Sequence, residues 1–564
     1  MTSAPISATN LAVAEPMPPP APVIAILCPV RSNCAAMTSP FRNPYSIIDL
    51  DGPSPGSSFP ANFADQHSTT PGSRYIDCFD TLTGEFASRL IIGFPMPITA
   101  RSYLGLLVLG LGTLVGPLDS SVNIAFPYIT GAFGVPLEDI RWVIVSYVLT
   151  YSSLMLVFGK LGDLFGHRLI FTAGLLVSAI TFVLCATATE FGWLLAFRVA
   201  QGISASLVLS CGPAIATSLF PEQYRSRVLG IYLMMFGIGG VLGPSIGGMM
   251  VAVWDWPAVF WFRVPISVLA LLFVFILPKP SRQRDAEPFD TFGAALLAIA
   301  VSALLLTVTQ LQHAGETPLL FAILVVLTGS AAWLYMRRSR NQNSPVIRMR
   351  IFRDVPFAVF NLAGIAVNLT GFAILLLVPY YLSEVSGFSV GLGGFVLALS
   401  AIATMLASPA GGWLIGRFAA NRMAFAGIAL VGLSSIFVGL WDDTPRIWAM
   451  SAPLILSGLG IGLFQVSYMS TVTGTLPVSE RGVAGSLALL TRTIGVVCSA
   501  SFLTWAFSAF STHHAASGMN TNASFLAAFQ STFIAVGTCL LVFLFVTCVR
   551  PSIWFGRQTE GTET

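Results

Sequence analysis

GIYLMMFGIGGVLGPSIGG, residues 230–248, sets regularly spaced glycines among bulky apolar residues. Gly239, Gly243 and Gly247 recur every four residues, so in a helix they share one face, with Gly230 and Gly248 at the ends and Pro244 beside them. Most of the other positions are Ile, Leu, Met, Val and Phe. Such a helix is flat on one side and bulky on the other. In lipid, where apolar contact gives little drive, a flat small-residue face lets two helices approach closely. Pro244 removes one backbone hydrogen bond and is expected to bend the helix.

Outward from this stretch the chain reads as membrane-embedded. Of its 564 residues 55% are hydrophobic and only 9% charged, against about 25% charged in a soluble domain. Apolar runs of spanning length occupy 102–124, 140–158, 169–188, 191–218, 228–252, 258–277, 291–311, 318–336, 356–382, 390–414, 422–440, 447–472, 483–509 and 525–549. The expected fold is therefore an all-α polytopic membrane protein with fourteen spans. Charge placement supports that number. The even connections carry Lys160 and Arg168, Arg225 and Arg227, Lys279, Arg282 and Arg284, the arginines from Arg337 to Arg353, Arg417 and Arg422, Arg481, and Arg550 and Arg557. The odd connections hold Glu138, Asp139, Glu190, Asp255, Glu316, Glu384, Asp442 and Asp443, with Arg141, Arg446 and Arg263 as the basic residues. Basic loops lie in the cytoplasm, so both termini are expected there.

Residues 1–100, rich in Pro, Ser, Thr and Ala, read as a disordered cytoplasmic tail. Its apolar run Pro22–Val30 is too short to span and reads as disordered or as a docking segment. No basic segment followed by an apolar core marks a signal peptide. The eight cysteines form no CxxC pair and lie mostly in the tail or inside spans, which argues against a disulfide framework or a zinc site. His513 and His514 read as a solvated outer loop rather than a metal pair, and the sequon at Asn522 sits too near the last span to be glycosylated.

Few residues inside the spans bear chemistry. Asp119 is the one carboxylate placed well inside. Burial disfavours its charged form, so it is a candidate to take up and release protons; the alternative is a structural hydrogen bond between helices. Arg198 in span four is either a partner in proton transfer or a side chain snorkelling to the outer surface. Arg492 has three readings: proton path, gate partner or snorkelling. Gly159, Asp163, Gly166 and Arg168 form a connection whose glycines permit a tight reversal, and Asp163 can cap a helix or pair with a base. Asn123, Tyr147, Gln201, Asn368, Tyr380, Tyr381, Gln465 and Tyr468 are polar or aromatic positions able to line a mostly neutral cavity. With almost no intramembrane charge in the C-terminal half, strongly anionic or phosphorylated substrates are disfavoured.

These stretches together resemble the major facilitator superfamily over about residues 100–550. The spacing around Gly230, Gly239, Gly243, Pro244, Gly247 and Gly248 is similar to its fifth-span antiporter motif. GKLGDLFGHR, from Gly159 to Arg168, resembles its loop motif, with Leu164 and His167 at positions usually basic. Leu194, Arg198, Gln201, Gly202 and Ala205 resemble its span-four motif, with Ser204 and Ser206 as departures. GPLDSSVNIAFP is similar to the first-span motif of the fourteen-span drug:proton antiporters, one residue shorter between Asp119 and Asn123. Trp256, Phe260 and Pro265 resemble a sixth-span motif in which Arg263 replaces Asn, and the aromatics also suit an interfacial belt. GGWLIGRF, Gly411 to Phe418, echoes the loop motif eight spans on instead of the six of a twelve-span facilitator.

The resemblance implies a six-helix bundle at 101–278, a linker with two extra helices at 279–355, a second six-helix bundle at 356–550 and a short tail at 551–564. It implies a secondary transporter of fungal style, a monomer in the lipid bilayer, exporting small, mostly neutral or cationic organic compounds in exchange for protons. Asp119 and Arg198 would couple the proton, no cofactor beyond the proton gradient would be used, and nucleic acid would not be a partner. The plasma membrane is the expected location, a vacuolar or other internal membrane the alternative. Rival readings are uptake or facilitated flux of a small solute such as ammonium or borate, and a non-transporting sensor; no constellation inside the spans suggests an enzyme.

Overall fold

The computed structural model describes residues 100–556 apart from 136–138, 279–288, 312–313, 343, 386–387, 389, 444–445 and 517–519. The N-terminal tail with its Pro22–Val30 run, Glu138, the basic linker residues Lys279, Arg282 and Arg284, and Arg557 lie outside the described residues. Among the described residues every regular element is helical.

Fourteen helices are long and apolar enough to cross a membrane. Spans one to seven are Arg101–Phe133, Arg141–Phe165, His167–Ala186, Phe191–Ser218, Glu222–Trp254, Ala258–Ile276 and Thr291–Gln310. Spans eight to fourteen are Pro318–Ser339, Val355–Leu382, Leu392–Leu414, Ala420–Val438, Ile447–Thr475, Val478–Ala516 and Asn522–Thr547. The first and thirteenth run further than their apolar stretches, because a helix goes on satisfying its own backbone past the hydrocarbon boundary. His513 and His514 accordingly sit in the last turn of a helix, Arg481–Ala516, and not in a loop. Asn522 lies in the first turn of the last span, whose N-cap is Asn520.

Span one is not a continuous α-helix. Gly116 and Pro117 interrupt it, since proline has no N–H to close the helical bond, and a 3-10 turn, Pro117–Ser120, follows before the helix resumes at Ser121. Asp119 is carried on that turn. The glycine face of span five packs on the same turn. A Cβ at Gly239 would fall 2.7 Å from Pro117 Cβ, one at Gly247 2.9 Å from Ser121 Cα, and one at Gly243 against Ser120 Oγ. Closer to its start the same helix meets span ten: a Cβ at Gly230 would lie 2.6 Å from the Ser408 carbonyl oxygen, and one at Gly237 2.9 Å from Met405 Cα. Gly248, at the far end, has no neighbour closer than Ile124 Cγ2 at 3.9 Å.

The apolar packing differs between the two ends. At the end bearing the basic connections one core joins both halves, with Leu156, Leu209, Leu229 and Leu233 beside Val472, Val483 and Leu487. At the other end there are two separate cores. One, around Val122, Phe182, Trp256 and Phe260, draws only on spans one to six and the turns beside them; the other, around Tyr381, Trp441, Phe529 and Phe533, only on spans nine to fourteen and theirs. Spans seven and eight pack on each other, and span seven also touches spans two and thirteen. Span eight is largely exposed, with Leu319 at 74% and Val326 at 68%, which suits a helix facing lipid.

Gly247→Leu is expected to lower the melting temperature of the detergent-solubilised protein, at a cost of about 1–3 kcal/mol, because the backbone of Ser121 cannot yield. Gly248→Leu should stay within ~0.5 kcal/mol of wild type. Equal effects from the two would show that the glycine face does not contact span one.

Candidate functional site

The turn in span one presents Asp119 to two arginines. Arg198 of span four donates from Nη1 to Oδ1 at 2.7 Å and from Nη2 to Oδ2 at 2.8 Å, a two-pronged pair. Arg263 of span six donates from Nη1 to Oδ1 at 2.7 Å. Gln201, one turn beyond Arg198, donates from Nε2 to the same oxygen at 3.0 Å and accepts from Arg198 Nη1 at 2.7 Å. Both guanidiniums are fully buried. Their remaining donors are partly met: Arg198 Nε bonds the Val143 carbonyl at 2.8 Å and Arg263 Nε the Val259 carbonyl at 2.9 Å, while Arg263 Nη2 has no partner. Aromatic faces complete the cage. Arg198 lies 4.4 Å from the Tyr147 ring centroid, Arg263 4.7 Å from that of Phe182 and 5.2 Å from that of Phe260. One carboxylate and two guanidiniums leave the group with a formal surplus of one positive charge.

This geometry removes the snorkelling reading of Arg198, whose side chain has no exposed surface. It also corrects two expectations for span six. Arg263 is an intramembrane partner of Asp119 and not an outer-loop charge, and Trp256 and Phe260 are 7% and 0% exposed, so they pack inside the bundle instead of forming an interfacial belt. Sequence reasoning missed Arg263 as a site residue. The signal was its position five residues inside a span, where an arginine needs an acid.

The loop between spans two and three turns sharply at Gly166, whose φ of 99° suits glycine. Asp163 neither pairs with a lysine nor caps its own neighbour. It reaches across to the other half, where Oδ1 accepts from the Gly482 N–H at 2.7 Å and Oδ2 from the Val483 N–H at 3.1 Å, capping the start of the helix in span thirteen. His167, in place of the basic residue usual there, holds Nε2 3.3 Å from Asp163 Oδ1, and Arg168 donates to the Leu277 carbonyl at 3.1 Å. Gly159 is in contact with Gly482 and Ser486 of the opposite half. Glu222 bridges Arg225 and Arg481, and Ser226 meets Ser470 at 2.8 Å.

Toward the middle of the molecule lies a cavity of about 230 Å³ lined by spans five, nine, ten, twelve and thirteen. Of the proposed lining residues, Asn368 and Gln465 belong to it and are bonded to each other, Gln465 Nε2 to Asn368 Oδ1 at 2.7 Å. The others do not line it. Tyr147 and Gln201 belong to the Asp119 group, Tyr468 is buried and donates to Asn361 Oδ1 at 2.8 Å, and Tyr381 donates to the Asp442 carbonyl at 2.5 Å. Asn123 and Tyr380 are exposed. Phe236 and Phe372 supply aromatic wall, and Arg492 is the one charged residue of the lining. The lining offers no carboxylate to anchor a cationic compound.

Removing the shared acid leaves two buried guanidiniums unpaired. Asp119→Ala is expected to cost about 3–5 kcal/mol, read as a fall in melting temperature. Combining it with Arg263→Met should recover part of that loss; strictly additive losses would show that the two residues do not depend on each other.

Residues 108–500 and 357–561 match the family profile described as Major Facilitator Superfamily. The chain is 27% identical over 462 residues to Riboflavin transporter RibZ of Clostridioides difficile, covering 82% of this chain and 99% of that protein. It is 26% identical over 394 residues to Multidrug resistance protein Stp of Mycobacterium tuberculosis, covering 70% of this chain and 73% of that one. Among solved structures it superimposes on the human organic anion transporter MFSD10 with a TM-score of 0.58 at 16% identity, covering 79% of this chain and 99% of the other.

Proposed function

Because the chain belongs to the Major Facilitator Superfamily, we propose that this transporter works as a fourteen-span drug:proton antiporter, exporting small organic compounds from the cytoplasm across the plasma membrane in exchange for protons. It is a multi-pass membrane transporter and not an enzyme. By the positive-inside rule the basic connections and both termini lie in the cytoplasm. The end where the halves share one core then faces inward, and the chain is closed on that side. The cavity's size and its phenylalanines suit an organic molecule better than ammonium or borate.

The observation that supports proton exchange is the Asp119 group. In this state its two oxygens accept from two guanidiniums and an amide. A proton can take their place only when a guanidinium withdraws, which requires span four or span six to move relative to span one. Proton occupancy is thereby tied to conformation, and a ligand shifts a conformational equilibrium only through such differential binding. A second reading, flux of a polar heteroaromatic metabolite, is favoured by the riboflavin transporter that the chain matches over 99% of its length.

Asp119→Asn keeps shape and one acceptor but cannot titrate. In proteoliposomes carrying wild-type protein, an imposed pH gradient should drive accumulation of ethidium or of riboflavin, whichever the protein moves; in the variant the pH-driven component should vanish while exchange at equal pH persists. Undiminished pH-driven accumulation by the variant would place coupling elsewhere. For sidedness, a tag inserted near Arg350 should be protected in intact cells and one near Asp442 labelled from outside.

A further inference from the structure

Arg198, Arg263 and Arg492 each lie inside a span, and they are not equivalent. Arg198 and Arg263 share Asp119 and have no exposed surface. Arg492, eleven positions after Arg481 in span thirteen (492 − 481), is partly exposed and lines the central cavity. Among the described residues no carboxylate lies within ion-pair distance of it and no protein acceptor takes a hydrogen bond from its guanidinium. Its close neighbour is the Phe236 ring, whose centroid is 5.2 Å from the guanidinium carbon.

A guanidinium taken from water without an acceptor is costly, and an aromatic face offsets only part of that cost. The surrounding amides do not supply the rest. Asn368 Nδ2 is spent on the Gly364 carbonyl at 2.7 Å, and Asn368 Oδ1 is occupied by Gln465 Nε2. Thr404 and Ser408 in the same lining turn their hydroxyls to the carbonyls of Ser400, Gly458 and Thr404. What remains in an otherwise largely apolar chamber is one fork of donors on a cation, next to a phenylalanine face. A carboxylate fits a guanidinium with two parallel hydrogen bonds, a geometry that an ammonium or an amide nitrogen cannot offer.

We propose that the cavity takes an organic monoanion, a flat apolar body of one or two rings bearing one carboxylate or comparably acidic oxygen, and that Arg492 binds that group. The ring body would lie against Phe236 and Phe372, both in the lining. The volume of about 230 Å³ is below the range of about 300–1,000 Å³ usual for drug-sized ligands, which limits the occupant to a small molecule. This names the substrate class of the cavity and rests on the transporter reading above.

The test uses the purified full chain and three matched probes: 2-naphthoate, its neutral amide 2-naphthamide, and the cation 2-naphthylmethylammonium. Binding is read by thermal shift in detergent and movement by counterflow in proteoliposomes. Wild type should bind the naphthoate about tenfold or more tighter than the amide, the scale of a charge-assisted hydrogen bond, and should move it. Arg492→Gln should abolish the difference between acid and amide. Arg492→Lys, which keeps the charge without the fork, should retain part of it. Preference by wild type for the amide or the ammonium overturns the inference, and counterflow of that compound would leave the transporter reading standing. Failure of wild type to bind or move any of the three also overturns the inference, and the pH-driven assay on Asp119→Asn then judges the transporter reading on its own.

Discussion

A single carboxylate buried between two arginines constrains the N-terminal half. Charges inside an apolar bundle persist only when paired and hydrogen-bonded, and Asp119 is the acid that pairs Arg198 and Arg263. The three residues come from spans one, four and six, so the pairing fixes the relative rotation of three helices at once. The turn at Pro117–Ser120 exists because Gly116 and Pro117 break the helix there, and it projects the carboxylate sideways. A bulge of this kind needs a flat partner. The glycines of span five supply it, with Gly239, Gly243 and Gly247 against Pro117, Ser120 and Ser121. The small-residue stripe and the buried acid are two sides of one local feature.

The contacts between halves at the basic end are of another kind. A helix cap by Asp163 is worth about 0.5–2 kcal/mol, and an exposed bridge through Glu222 about 0–1 kcal/mol; a serine pair joins them. The close approach of Gly159 to Gly482 adds van der Waals contact without interlocking side chains. Opening this end also parts the apolar core that Leu156 and Leu229 share with Val472 and Leu487, but each half keeps a core of its own at the other end. The substitution of His167 for a basic residue fits the same pattern, since it sits beside Asp163 without the fixed charge that would tighten the seam.

Much of the fold was legible because it follows from two robust signals, apolar length and loop charge. The number of spans came from them, while the tight turn at Gly166 and the packing role of the span-five glycines came from where the glycines stand. The candidate site was legible in part. Asp119 and Arg198 stood out as charges inside apolar runs, and their pairing is what low dielectric demands. Arg263 did not, because it lies close enough to the end of span six to be counted with a loop, and only the three-dimensional approach of span six to span one reveals it. The cavity residues were the least legible. Whether a tyrosine such as Tyr468 faces a cavity or bonds Asn361 behind it depends on helix rotation, which apolar periodicity does not define in a helix that is apolar all round.

The Asp119 group and the central cavity are separate places, and span five is in contact with both. Gly239 and Gly243 rest on the turn that carries Asp119, while Phe236, Gly237 and Gly240, within one or two helical turns on the same helix, line the cavity. Glycine contacts transmit position more faithfully than long side chains do, because they have no rotamers to absorb a shift. Span five thus connects the Pro117–Ser120 turn to the cavity wall beside Arg492, whose guanidinium lies against Phe236. For a transporter this arrangement has a specific merit. On the antiporter function and cavity occupant proposed above, Asp119 and Arg492 need not touch, so the cavity can adapt without disturbing the buried ion group that joins spans one, four and six.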